Sequence, residues 1–238
     1  MASALKVQER EVVVPGEILA EGMEYLPSYG TYRLGDAIRA AQLGLVRVDG
    51  KVIKLIPLAG RYVPKRDDVV IGKVVNILMS GWMLDINCAY SAVLSVKEAT
   101  SRFIEKGADL TRILALGDYA VTRIVNVTTQ KLVDVSMRAP GLWKLAGGRD
   151  FSVNTHKVPR IIGKQGSMVK MIKDATGCKI TVGQNGLVWI DGDPEMENIA
   201  VEAIRLIEDQ SHIQGLTERV HAFLKNKTKK DIVIPKMQ

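Results

Sequence analysis

Apolar and polar residues alternate along the front of this chain, whereas towards the back they recur at three- and four-residue spacing. Alternation marks half-buried strands and the longer spacing marks amphipathic helices, so the pattern predicts a β-rich front and a mixed back. The first run, 12–19, is apolar and interrupted by a Pro15-Gly16 turn, and glycine- and tyrosine-rich sequence follows it to Tyr32. Runs 43–48 and 52–56 enclose Asp49-Gly50, a dipeptide that favours the tight turn of a hairpin. A charged, proline-containing joint at 62–68 separates these from five further alternating runs, 69–78, 81–86, 92–96, 117–127 and 131–136. The longest connection, polar over 97–111, lies between the third and the fourth, and that order fits a small five-stranded barrel of the OB type.

The back of the chain changes period. Helical spacing flanks Gly163-Lys164-Gln165-Gly166, so two helices are predicted with a very short break between them, the second starting near Ser167 and stopping at Gly177. Two alternating runs, 178–182 and 186–191, are joined by the turn residues Gly183-Gln184-Asn185-Gly186 and predict a hairpin. Asp193 as cap and Pro194 at the first position open a helix whose inner face carries Met196, Ile199, Ala200, Ala203 and Ile207. With 151–153 as a first strand, the order is βααββα. A last helix is predicted over 217–224, followed by a basic cluster at 225–230, and Ile232-Val233-Ile234 offers a final strand.

Composition narrows the chemistry. Over 238 residues, 47% hydrophobic and 25% charged residues suffice for stable cores, and a formal net charge of +7 favours an anionic partner. Cys88 and Cys178 are far apart, so both are expected to be buried thiols rather than a disulfide or zinc site. His156, His212 and His221 lack ligand spacing, and no cofactor or metal is expected. No apolar run has membrane-spanning length and no signal peptide opens the chain, so a soluble, cytoplasmic protein without membrane contact is expected. No carboxylate or histidine cluster has acid–base spacing, which argues against a nuclease.

The glycines at 163 and 166 leave the backbone of that break free to approach a ligand closely. A helix beginning at Ser167 would turn unpaired N–H groups and a positive dipole end to the same place, and Lys164 adds a full charge. Loop, helices and hairpin together resemble a KH domain of βααββα order, whose two-glycine loop clamps single-stranded backbone. The resemblance implies RNA contacts at Gly163, Lys164, Gln165 and Gly166, with Arg160 beside them. Replacing Gly163 and Lys164 by aspartate is expected to weaken RNA binding without unfolding the protein.

The barrel runs resemble an S1 RNA-binding domain in Ile71-Gly72-Lys73-Val74, in Ser80-Gly81-Trp82-Met83-Leu84-Asp85, in Gly117-Asp118-Tyr119-Ala120-Val121 and in Val133-Asp134-Val135-Ser136. The family's stacking aromatics fall at Ser80 and Met83, and its third-strand histidine at Leu94, so base stacking there is expected to be poor. Cations would take over: Arg102, Lys106, Arg112, Arg123 and Lys131, with Arg138 nearby.

The whole layout resembles the S1/KH cap subunits of the archaeal RNA exosome, the ribosomal RNA-processing protein four family. Val14-Pro15-Gly16-Glu17, Gly30-Thr31-Tyr32 and 57–64 follow that family's wording in the first segment. The resemblance implies a multidomain chain, mainly β then α+β: an N-terminal β domain over 1–63, an S1 barrel over 64–143 and a KH domain with basic tail over 144–238. It further implies single-stranded RNA as ligand and three cap copies on a hexameric phosphorolytic ring, with the zinc-ribbon sister subunit as a possible neighbour in mixed caps. Tyr25, Tyr29 and Tyr32 are the candidate ring contacts, and removal of residues up to Ile56 is expected to abolish assembly. A transcription or translation factor of the S1-plus-KH kind is the alternative, but the elongation proteins with that layout carry two KH domains of the other strand order.

Overall fold

The computed structural model describes residues 4–58, 60–101, 104–105, 107–211, 213 and 215–229. Ile232-Val233-Ile234 lies outside the described residues. The chain divides into two compact units, Met1–Gly60 and Arg61–Gln238.

Among its described residues, the first unit has strands and connections but no helix. Strands β1 (Ala4–Leu5), β3 (Ile18–Glu21), β5 (Thr31–Leu34) and β6 (Ala37–Ala40) form one sheet in the order β1-β3-β6-β5. The strands β2 (Val12–Val13), β4 (Leu26–Pro27), β7 (Gly44–Asp49) and β8 (Val52–Pro57) form a second in the order β2-β7-β8-β4. The β7–β8 hairpin forms as expected, but its two turn residues are Gly50 and Lys51, one position later than Asp49-Gly50, because Asp49 still pairs with Val52. The Pro15-Gly16 turn ends β2 as expected, and the chain resumes as β3 in the other sheet. The β5–β6 hairpin was hidden by its short strands of four residues each, too brief to show a period. The core holds only small and medium side chains, among them Val13, Leu19, Ile38, Val46 and Ile53, with Tyr25 packed against it. A core this thin leaves much apolar surface outside, including Val12, Met23, Leu26 and Leu34.

The second unit holds a barrel and an α/β module. The barrel strands are β9 (Val69–Leu78), β10 (Gly81–Asp85), β11 (Ser91–Ser95), β12 (Tyr119–Val127) and β13 (Val133–Ser136), with a short helix α1 (Val96–Ala99) after the third. They pair in the order β13-β11-β10-β9-β12, and β12 pairs again with β13, so the sheet closes on itself and exposes no edge. Trp82 fills the interior, fully buried, and its indole N–H donates to the Leu114 carbonyl at 2.9 Å. A two-residue strand β14 (Lys144–Leu145) adds to β12.

The α/β module comprises β15 (Arg149–Ser152), α2 (Val158–Ile162), α3 (Ser167–Thr176), β16 (Lys179–Val182), β17 (Leu187–Asp191), α4 (Pro194–Gln210) and α5 (Leu216–Thr228). Its antiparallel sheet runs β15-β17-β16. Val188 and Ile190 face the helices, whose Ile161, Met171, Ile172, Ala203 and Ile207 complete that core. Two local expectations need correction. Asp193 precedes Pro194 but caps nothing with its side chain; Glu197 reaches back instead, accepting from the Gly192 N–H at 2.9 Å. The basic cluster is helical as far as Thr228, because Leu216, Val220 and Leu224 continue the buried stripe. Lys225 and Lys227 then sit where their charge complements the helix dipole, and Lys227 pairs with Glu202 at 3.0 Å.

Candidate nucleic-acid interface

The turn between α2 and α3 is built by three backbone conformations, within four residues, that ordinary residues resist. Gly163, Gln165 and Gly166 all have positive φ, 75°, 54° and 79°. The two glycines do different work. A Cβ on Gly163 would lie 2.7 Å from the Met168 nitrogen and 2.8 Å from its Cβ, so the start of α3 is pressed against this residue. A Cβ on Gly166 would meet nothing within 4 Å, so the space above it is open. No side chain caps α3 and no acidic residue lies in its first turn, which leaves that end positive and approachable.

The side chains of Arg160, Lys164 and Gln165 are exposed around the turn. Lys170, exposed one helical turn into α3 from Gly166, adds a further cation on that helix; its four-residue offset from Gly166 was a signal available in the sequence. The steric role of Gly163 corrects one expectation. Aspartate there would collide with backbone rather than with a flexible side chain, so that variant tests folding and not only binding.

The barrel separates its candidate cations. Arg112 ends a 3-10 turn, Leu110–Arg112, before β12, while Lys131 lies beyond the far end of that nine-residue strand, with Arg123 on the strand itself. All three are exposed, and Arg112 is 3.8 Å from Asp109. Arg102 and Lys106 lie outside the described residues. On β11, Ala92 and Leu94 point into the core, so the outward positions are Ser91, Val93 and Ser95, none aromatic. Leu94, the position matched to the family's histidine, therefore faces the interior. Ser80 is exposed and Met83 half-buried.

Cys178 is buried, but Cys88 is only half-buried, its Sγ 3.0 Å from the Tyr90 carbonyl, because the 86–90 connection leaves it near the surface. Among the described residues no group of three His, Cys, Asp or Glu side chains could hold a metal ion, and no helix is long and apolar enough to cross a membrane. Tyr25 packs on the first unit's core, whereas Tyr29 and Tyr32 are 42% and 41% exposed.

The barrel and the α/β module are joined through the hairpin turn between β16 and β17. Asn185 is fully buried, and its amide donates to the carbonyls of Ile71 at 2.7 Å and Ile86 at 2.9 Å. Its side-chain oxygen accepts from the Ile71 N–H at 3.3 Å, while the Gln184 N–H donates to the Val69 carbonyl at 2.8 Å. Leu187 and Trp189, on the sheet face away from the helices, pack with Ile71, Val121 and Leu145. Tyr119 donates to Asp150 at 3.1 Å; burial and this carboxylate raise its pKa, so the phenol stays a donor. Burial alone would raise the Asp118 carboxyl, but the Lys144 ammonium and the Ala115 N–H outweigh it and hold Asp118 below the ordinary value.

Comparison with known proteins agrees with this layout. Residues 10–59 match the family described as the exosome RNA binding protein RRP4 N-terminal domain, 61–105 the RRP4 S1 domain, and 149–206 the KH domain. The chain is 43% identical over 221 residues to the exosome complex component Rrp4 of Methanothermus fervidus, covering 92% of this chain and 97% of the relative. It is 44% identical over 223 residues to that of Thermococcus kodakarensis, covering 92% and 86%. A crystal structure provisionally described as an exosome complex RNA-binding protein superposes with a TM-score of 0.64 at 32% identity, over 71% of this chain and 98% of that one.

Proposed function

We propose that this chain, which belongs to the Rrp4 family of exosome complex components, is a non-catalytic cap that captures single-stranded RNA and passes its 3′ end to a phosphorolytic ring. The observation that carries the reading is the 163–166 turn, where open space above Gly166, a positive helix end and a group of cations coincide. A phosphate chain fits that combination, and a protein side chain does not need it. The cations of the barrel, Arg112, Arg123 and Lys131, would attract the strand on its way past, without base selection. Three copies on a hexameric ring, a mixed cap with the sister subunit, stabilisation of the ring and a cytoplasmic site of action belong to the same proposal.

The test of the turn changes charge without touching Gly163. Lys164→Asp with Gln165→Asp places aspartate at a position already in the left-handed region, which Asp tolerates. Affinity for single-stranded RNA should fall about tenfold at moderate salt, and the slope of log affinity against log salt should flatten by about one phosphate contact. Unchanged binding across the salt series would remove the turn from the RNA path.

Anchoring to the ring is assigned to the first unit. Tyr32 and Leu34 are both exposed on one face of β5, the strand that ends its sheet, and buried contact area is the simplest account of so much apolar surface. Tyr32→Glu with Leu34→Glu should abolish co-elution with the ring subunits while leaving the circular dichroism spectrum unaltered. Retained co-elution would move the contact elsewhere.

A further inference from the structure

Away from the 163–166 turn, at the opposite end of α3, a cavity of about 480 Å³ opens between Trp143 and the edge strand β16. The ten residues of α3, rising 1.5 Å each, put roughly 15 Å between the two places. The three tryptophans differ sharply. Trp82 and Trp189 are buried, with their indole N–H groups donating to the carbonyls of Leu114 and Gly147. Trp143 is 46% exposed, yet its backbone is held, because its carbonyl accepts from the Val121 N–H at 2.9 Å.

Among the described residues the cavity is lined by Lys144, Lys173 and Lys179 and by the carboxylate of Asp191, so Lys173 is the charge in excess once Asp118 and Asp191 are paired. Lys144 is fixed by Asp118. Lys179 is 3.3 Å from Asp191, but its side chain is 79% exposed, and an ion pair so wet is easily exchanged for another anion. An anchored aromatic plate beside surplus positive charge, in a cavity of small-ligand size, matches a base with its phosphate more closely than it matches an aliphatic or acidic side chain.

We propose that this cavity is a second RNA contact, in which one unpaired base stacks on Trp143 while its phosphate meets Lys173 and Lys179. The inference rests on the RNA-binding reading above and lengthens it: the site lies beyond the about four nucleotides that a KH turn clamps. One strand would thus engage both ends of α3. Because the stack is sequence-tolerant, the site adds affinity and footprint rather than base selection.

The test uses the full chain, labelled oligoadenylate for total binding by anisotropy, and unlabelled oligoadenylate for quenching of the intrinsic tryptophan fluorescence. Saturable quenching is expected in the wild type and not in Trp143→Phe, which keeps affinity because phenylalanine also stacks. Trp143→Ala should weaken binding by about fivefold to a hundredfold. Lys173→Glu with Lys179→Glu, both solvent-facing changes, should weaken binding and flatten its salt dependence. Normal anisotropy with no quenching, and unchanged affinity in Trp143→Ala and in the double lysine variant, would overturn the site while leaving RNA binding intact. Equal quenching by inorganic polyphosphate, which has no bases, would also overturn it. No anisotropy change in the wild type would sink the RNA reading itself, and this contact with it.

Discussion

Asn185→Asp should lower the unfolding free energy of the second unit by roughly 3–5 kcal/mol at neutral pH and recover part of it on acidification. The substitution is nearly isosteric, so packing is preserved and only the polar pattern changes. In the native turn the Asn185 amide faces the carbonyls of Ile71 and Ile86, both of which need a donor. Aspartate would turn an acceptor and a negative charge towards them in a fully buried place. Desolvation and the facing carbonyls would raise the folded-state pKa of the new carboxyl above its unfolded value. The penalty is therefore present above that folded pKa and fades as pH falls through it, since the protonated acid can donate to one carbonyl again. Urea unfolding followed by tryptophan fluorescence at neutral and mildly acidic pH measures both parts. A midpoint equal to that of the wild type at each pH would show that the turn does not hold the barrel to the α/β module.

Gly163→Ala and Gly166→Ala should separate folding from binding at the same turn. Both replace a glycine of positive φ: at Gly166, in the left-handed helical region, that alone costs about 1–2 kcal/mol, and at Gly163, whose ψ of 173° lies in a region essentially restricted to glycine, about 1–3 kcal/mol. At Gly163 the new methyl group also meets the Met168 backbone at 2.7 Å, so the entrance of α3 must shift, and the total rises to about 2–4 kcal/mol. At Gly166 it meets only open space. Thermal unfolding should thus be strongly lowered for Gly163→Ala and slightly for Gly166→Ala, whereas RNA affinity of the still-folded Gly166→Ala should fall because the methyl group stands where the strand approaches. Equal melting temperatures for the two would contradict the steric difference, and unimpaired affinity in Gly166→Ala would place the strand elsewhere.

Local pattern was enough for much of this protein. Alternation located the five barrel strands, the two glycines located the turn between α2 and α3, and Asp49-Gly50 located a hairpin. These features depend on near neighbours along the chain, whose spacing the sequence displays directly. It could not display the short β5 and β6, the inward turn of Leu94 or the extra helical turn of α5, since each is decided by what lies opposite.

The clearest case is the stretch 183–186. As sequence it is four turn residues between two strands, and any hydrophilic asparagine would serve. Folded, Asn185 stands 114 positions from Ile71 and completes the hydrogen bonds of a barrel it does not belong to. Trp143 is similar: its identity is written in the chain, but its exposure beside three lysines depends on strands brought in from elsewhere. The barrel strands, the turn between α2 and α3 and the family resemblance were thus determined by residue order alone. Which polar groups are buried, and which aromatic is left to meet a ligand, was decided only when distant segments excluded water from some surfaces and left others wet.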